Sequence, residues 1–154
     1  RSMIDDAVYY LGAVNDIYSH NSYAHVYYNL ERGTDAYNCK VDDGSCPRVT
    51  TWSGKIGLMY ASDYVYSVDL SVCKEYGYEY NNSLCNTFIY ENIQNPWTIT
   101  PNSSLGYNVY IVANEKIYAT STDWHGGVKP VVYLKSDITI TEGTGTSSDP
   151  YQLG

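Results

Sequence analysis

The sequence predicts an α+β domain, with short N-terminal helices followed by a twisted antiparallel sheet of short strands and long loops. Three observations carry that expectation. The chain has 154 residues, the size of one domain, and 44% of them are hydrophobic, enough for a core. Helix-like spacing of apolar residues is confined to the front of the chain. Beyond Cys85, short alternating runs are separated by Asn, Pro, Gly and Ser. No repeat of fixed period and no Pro/Ser linker divides the chain, so residues 1-154 read as a single globular domain.

From the N-terminus, Met3, Ala7, Tyr10 and Leu11 fall at spacings of three and four, which predicts a helix over 2–11. Asp5-Asp6 would sit in its first turn and Gly12 would end it. Residues 20–37 fit either a strand or a helix that ends at Glu31-Arg32-Gly33. Residues 49–60, with Trp52 and Gly57, read as a strand leading to a turn. Ser62 is placed to cap a short helix through 64–67, with Asp63 favourable at its positive end.

The later segments read as strands. Trp97-Thr98-Ile99-Thr100 alternates between the turn signals Asn95-Pro96 and Pro101-Asn102-Ser103-Ser104. Residues 108–112 and 116–120 predict a hairpin around Ala113-Asn114-Glu115. Pro130 marks the strand over 128–134 as an edge or a bulge. Residues 138–141 alternate, and the Gly/Thr/Ser-rich stretch 143–150 makes a long turn before Tyr151-Gln152-Leu153.

Charge narrows the partners. Nine Lys and Arg against 17 Asp and Glu leave a net charge of -8, which argues against nucleic acid and against an anionic membrane surface. No apolar run approaches the roughly 20 residues of a membrane helix. The chain opens on Arg1-Ser2-Met3 without a signal-like stretch, so an anchor or pilin helix is expected to lie outside these residues.

The four cysteines form two local pairs around polar segments. Cys39 and Cys46 flank Asp42-Asp43-Gly44-Ser45, and Cys73 and Cys85 flank a Tyr-rich stretch. Neither pair has the short clip usual for zinc. Of three possible connectivities the loop signals favour two local disulfides, with free thiols and a metal or catalytic role as the alternatives. Disulfides imply an exported, extracellular protein.

Several motifs carry a resemblance. Thr51-Trp52-Ser53-Gly54-Lys55-Ile56-Gly57-Leu58-Met59-Tyr60-Ala61-Ser62-Asp63-Tyr64 is similar to the W-x-G-x-I-G-L-M-Y-x-S-D-Y motif of uncharacterised surface and prepilin-like proteins of gut Firmicutes. Glu31-Arg32-Gly33 before it and Trp97-Thr98-Ile99-Thr100-Pro101 after it follow the same order, and Gly127-Val128-Lys129-Pro130-Val131-Val132-Tyr133-Leu134-Lys135 resembles that family's V-R-P-V-x-Y-L-K. The tail over 138–153 resembles that family's I-T-x-G-x-G-T-S-x-x-P-Y-x-L ending. The order of motifs also resembles, more distantly, C-type-lectin-like and formylglycine-generating-enzyme folds. The resemblance implies a head domain carried by a prepilin-type helix or another bacterial surface anchor, with no established activity to transfer. Val65 stands where that family usually has Gly, and Lys129 replaces its usual Arg and cannot form a bidentate fork. The late cysteine pair of formylglycine chemistry and the calcium tripeptides of sugar-binding C-type lectins do not occur.

Among candidate site residues, tyrosine is the strongest compositional signal, with 19 Tyr and three Trp against one Phe. Tyr76, Tyr78 and Tyr80 alternate, so an extended segment would present them on one face, followed by Asn81 and Asn82. Such Tyr/Asn/Ser/Gly chemistry suits adaptable binding surfaces, although Tyr also replaces Phe in half-buried strands. Trp124 and His125 lie in the polar stretch Asp123-Trp124-His125-Gly126-Gly127, a second candidate. His20 and His25 lack metal-pair spacing, and Asp42-Asp43-Gly44 lacks the ladder of a calcium loop. No nucleophile elbow, P-loop or dinucleotide fingerprint occurs, and a glycan hydrolase would need paired carboxylates in a cleft, for which Glu75, Glu79 and Asp123 are candidates only because acids are plentiful.

The expectation is a non-enzymatic adhesion or ligand-binding head at a bacterial cell surface, needing neither metal nor cofactor. Its partner would be a host or microbial surface glycan or protein. The alternative is a structural, type IV pilin-like subunit that assembles with copies of itself.

Overall fold

The computed structural model describes residues 3–11, 24–32, 50–67, 93–102, 107–113, 116–146 and 148–154. In chain order these form β1 (Ala7–Tyr10), α1 (Ala24–Glu31), β2 (Thr51–Gly54), β3 (Ile56–Leu58), α2 (Ala61–Tyr66), β4 (Trp97–Pro101) and β5 (Asn108–Ala113). They continue with β6 (Lys116–Ser121), β7 (Pro130–Val132), β8 (Ile140–Glu142) and β9 (Gln152–Leu153).

The α+β, C-type-lectin-like expectation is overturned. Strand predominates, the two helices among the described residues are short, and neither opens the chain. In place of one twisted sheet there are small antiparallel ones: β1-β2, β3-β7, β4-β5-β6 and β8-β9. The segment expected as a helix over 2–11 is extended, because Val8 is exposed and Tyr9 fully buried, an alternation of period two. The apolar residues at helical spacing there are few, and tertiary packing of one tyrosine outweighs them.

Three segments explain why the strands stay short. Residues 3–10 pair first with 133–135, through the Ile4↔Leu134 bridge, and then with β2 in the register Ala7↔Gly54 to Tyr10↔Thr51. Residues 51–58 change partner at Lys55, leaving β1 and taking up β7 in the register Ile56↔Val132 to Leu58↔Pro130. Each segment thus pairs with both others, and every pairing is antiparallel. Pro130 sits at the end of its ladder, where an absent N–H costs least.

Tyr9 fills this junction. Its ring lies 5.4 Å from Trp52 and 5.8 Å from Tyr133, centroid to centroid, and its hydroxyl donates to the Val131 carbonyl at 3.4 Å. Gly57 lies against the ring: a Cβ built there would stand 2.3 Å from Tyr9 Cε1.

Helix α1 follows from Ala24, Tyr27 and Glu31, buried on one face at helical spacing. Helix α2 starts one residue after Tyr60, not after Ser62 as the capping signal suggested. Asp63 is well placed at its positive end, since its Oδ2 accepts from the Tyr60 N–H at 2.8 Å. The core joins Ala24 and Tyr27 of α1, Met59, Ala61, Tyr64 and Val65 around α2, and Tyr110, Val112 and Ile117 of the β5-β6 hairpin. That hairpin forms as expected, in continuous register from Asn108↔Ser121 to Ala113↔Lys116. The tail forms β8 and β9 around the long turn, with Ile140 opposite Leu153.

Candidate functional site

Two groupings of polar and aromatic side chains stand out, one buried and one open. The buried grouping begins at Glu31, the last residue of α1, whose side chain is wholly enclosed. Its Oε1 accepts from the Ser62 N–H at 3.1 Å and from Thr100 Oγ1 at 2.7 Å, while Oε2 accepts from Ser62 Oγ. Thr100 Oγ1 also accepts from the Ala61 N–H at 3.0 Å. The first N–H groups of α2 have no partner within the helix, so they are satisfied here by a carboxylate from α1 and a hydroxyl from β4.

Burial pushes the Glu31 carboxyl up to about 7, against the lowering effect of the Ser62 and Thr100 hydrogen bonds. Burial also raises Asp63, opposed by its bond from Tyr60 and by the charge of Arg32.

Arg32 covers this knot. Its guanidinium lies 3.7 Å from the centroid of the Tyr28 ring and 4.7 Å from that of Tyr60, with Tyr10 at 5.9 Å. It also donates to the Tyr28 carbonyl at 3.3 Å and reaches Glu31 Oε2 at 3.5 Å. Tyr60 accepts from the Tyr10 N–H, and burial pushes its own hydroxyl up to about 12. The Glu-Arg-Gly, Ser-Asp-Tyr and Trp-Thr-Ile-Thr-Pro motifs therefore meet in space through Glu31, Arg32, Ser62, Asp63 and Thr100. Their geometry joins two helices to a sheet and leaves the carboxylate no open face for a ligand.

The open grouping is the loop after β6. Trp124, at 43% exposure, is flanked by exposed Thr122, Asp123 and His125. Trp97 stands edge-on to it, with centroids 6.5 Å apart and planes at 79°. The backbone N–H of Trp97 donates to the Gly127 carbonyl at 2.9 Å, and the Gly127 N–H reaches the Gln94 and Asn95 carbonyls at 3.1 Å. Gly126 permits the approach, since a Cβ there would lie 2.7 Å from Trp97 Nε1 and from the Asn95 carbonyl oxygen.

Of the residues singled out in the sequence, the structure brings Trp124 and His125 to this exposed loop. Tyr76, Tyr78, Tyr80, Asn81 and Asn82 lie outside the described residues, as do Cys39, Cys46, Cys73, Cys85, His20 and Asp42-Asp43-Gly44. His25 lies on α1 with its side chain exposed. Sequence reasoning missed Glu31 and Thr100 as partners, although both stood inside quoted motifs. Trp97 stands in the sequence as a strand and motif residue, and its place beside Trp124 has no local signal. In comparison with known proteins, no family model, no curated protein and no solved structure matches this chain.

Proposed function

We propose that this chain is a non-enzymatic ligand-binding head displayed at a bacterial cell surface, where it adheres to a host or microbial glycan or protein. The carrying observation is the exposed Trp124–His125 loop, fixed from behind by Trp97 and by backbone hydrogen bonds to residues 94 and 95. A braced aromatic on a polar loop offers contact area at small entropic cost, which is what a recognition surface needs. The Tyr/Asn segment with Tyr76, Tyr78, Tyr80, Asn81 and Asn82 supplies more of the same chemistry in the sequence. In this reading the protein is the head of a prepilin-like or otherwise anchored protein and works without a cofactor.

The test is binding of the purified chain to arrayed glycans and mucins, with and without calcium, beside a Tyr76/Tyr78/Tyr80→Ala variant. Saturable binding to an arrayed ligand supports the reading, and calcium dependence would add a metal site to it. Absence of binding to every glycan, mucin and surface-protein ligand presented contradicts it.

A second reading, a structural pilus subunit, is favoured by one observation. The strand junction exposes Val8, Ile56, Val132 and Leu134, apolar surface suited to packing against another subunit. Polymerisation of the full-length protein, lost on Ile56→Lys, would support that role.

A further inference from the structure

We propose that the Trp124 indole is a stacking platform for a neutral pyranose ring, making the loop after β6 a saccharide subsite. This names the ligand class of the binding reading above and rests on it.

The geometry points to a sugar for three reasons. First, the platform is backed from one side: Trp97 meets the Trp124 ring edge-on at 6.5 Å, and the backbone N–H of Trp124 donates to the Ser121 carbonyl at 3.1 Å, which fixes the turn that carries the ring. A turn already held by its backbone loses little further backbone freedom when a ligand docks. Second, the rim is polar. Thr122, Asp123 and His125, all exposed, adjoin Trp124 in the loop and carry a hydroxyl, a carboxylate and an imidazole. A pyranose matches that pattern, with C–H groups on one face for the indole and hydroxyls around its edge for the rim. An aliphatic ligand would desolvate those polar groups without replacing their hydrogen bonds. An anionic one would meet Asp123 and a chain of net charge -8.

Third, a second aromatic lies at the same end of the hairpin. The Thr122 N–H donates to the Tyr107 carbonyl at 2.9 Å, which brings Tyr107, 57% exposed, beside the loop. Two aromatics at one end suit an oligosaccharide better than a single ring. Trp52 is as exposed as Trp124 but serves differently. It folds over Gly54, where a Cβ would stand 2.2 Å from its ring, and packs on Tyr9 within the strand junction.

The experiment titrates the chain with N-acetyllactosamine, chitotriose and cellotriose by isothermal calorimetry, after a glycan array has ranked neutral ligands. Trp124→Ala, Trp124→Tyr and Tyr76/Tyr78/Tyr80→Ala are measured in parallel, with the melting temperature of each. The expected result is binding of at least one neutral glycan, weakened about tenfold or more in Trp124→Ala and largely kept in Trp124→Tyr, at unchanged melting temperature. Binding that survives Trp124→Ala but vanishes in the triple Tyr variant overturns the subsite and leaves the binding head standing. Binding to a mucin polypeptide or another surface protein with no neutral glycan bound does the same. Failure to bind any glycan or protein presented overturns both.

Discussion

Tyr9 concentrates the packing of the strand junction in one side chain, touching Trp52 and Gly57 on one segment and Val131 and Tyr133 on another. Tyr9→Ala is expected to cost about 3–5 kcal/mol, the range for deleting a buried aromatic, measured by urea unfolding. Tyr9→Phe removes only the bond to the Val131 carbonyl and should cost about 1 kcal/mol. Buried tyrosines recur at 27, 60, 64 and 110. The abundance of tyrosine is thus partly a core property, with hydroxyls accommodated by partners such as the Asn102 amide, which donates to Tyr110 at 3.1 Å.

Glu31 gives a pH dependence whose sign is fixed by its surroundings. Its folded-state pKa, about 7, lies above the ordinary glutamate value, so the folded state holds a proton that the unfolded chain releases earlier. The contribution to stability is full below the unfolded pKa and is lost as pH rises through about 7. Asp63, also raised by burial, acts in the same direction. The midpoint of thermal unfolding should therefore fall between about pH 4.5 and 7.5, and Glu31→Gln should flatten that slope. An equal slope in the variant would mean that Glu31 does not titrate in this range.

At the level of elements, β4 shows how polar chemistry can choose a strand's inner face. Hydrophobicity alone would turn Trp97 and Ile99 inward, yet Thr98 and Thr100 are the buried residues. Thr98 Oγ1 donates to the Tyr110 carbonyl at 2.8 Å, and Thr100 joins Glu31 to the start of α2. Thr100→Val keeps the shape but strips Glu31 and the Ala61 N–H of a partner. It should destabilise by about 1–3 kcal/mol in urea unfolding, with Thr100→Ser intermediate.

The same element marks how far the sequence could be read. The β5-β6 hairpin was legible because both strands are rich in β-branched residues and their turn is short. β4 was legible from Pro96 before it and Pro101 at its end, but its inner face depended on a carboxylate 69 positions away. β1 was read as a helix because the partners that make it a strand lie in residues 50–54 and 133–135, beyond any local window. The motifs were visible as strings, while their meeting at one buried carboxylate appears only in three dimensions. For the site, Trp124 and His125 were visible as a polar aromatic loop, but the bracing by Trp97 was not.

On the scale of the whole molecule, the described residues combine short strands that exchange partners, a buried polar knot at Glu31 and the exposed loop after β6. The knot and the junction hold buried contacts, and in the proposed reading recognition falls to the Trp124 loop. If the two local disulfides of the sequence reading form, strong reductant should lower the melting temperature, since each would close a short loop worth on the order of 2–3 kcal/mol. An unchanged melt would mean that they are absent or idle.

The division of labour makes the most direct test a paired one: binding to immobilised mucin and glycans by Trp124→Ala and Thr100→Val, each beside its own thermal melt. Trp124→Ala is expected to lose binding and to keep the wild-type melting temperature. Thr100→Val should melt earlier yet bind normally at a temperature where it remains folded. Wild-type binding by Trp124→Ala, together with loss of binding by folded Thr100→Val, would contradict the proposed reading and place recognition at the knot instead.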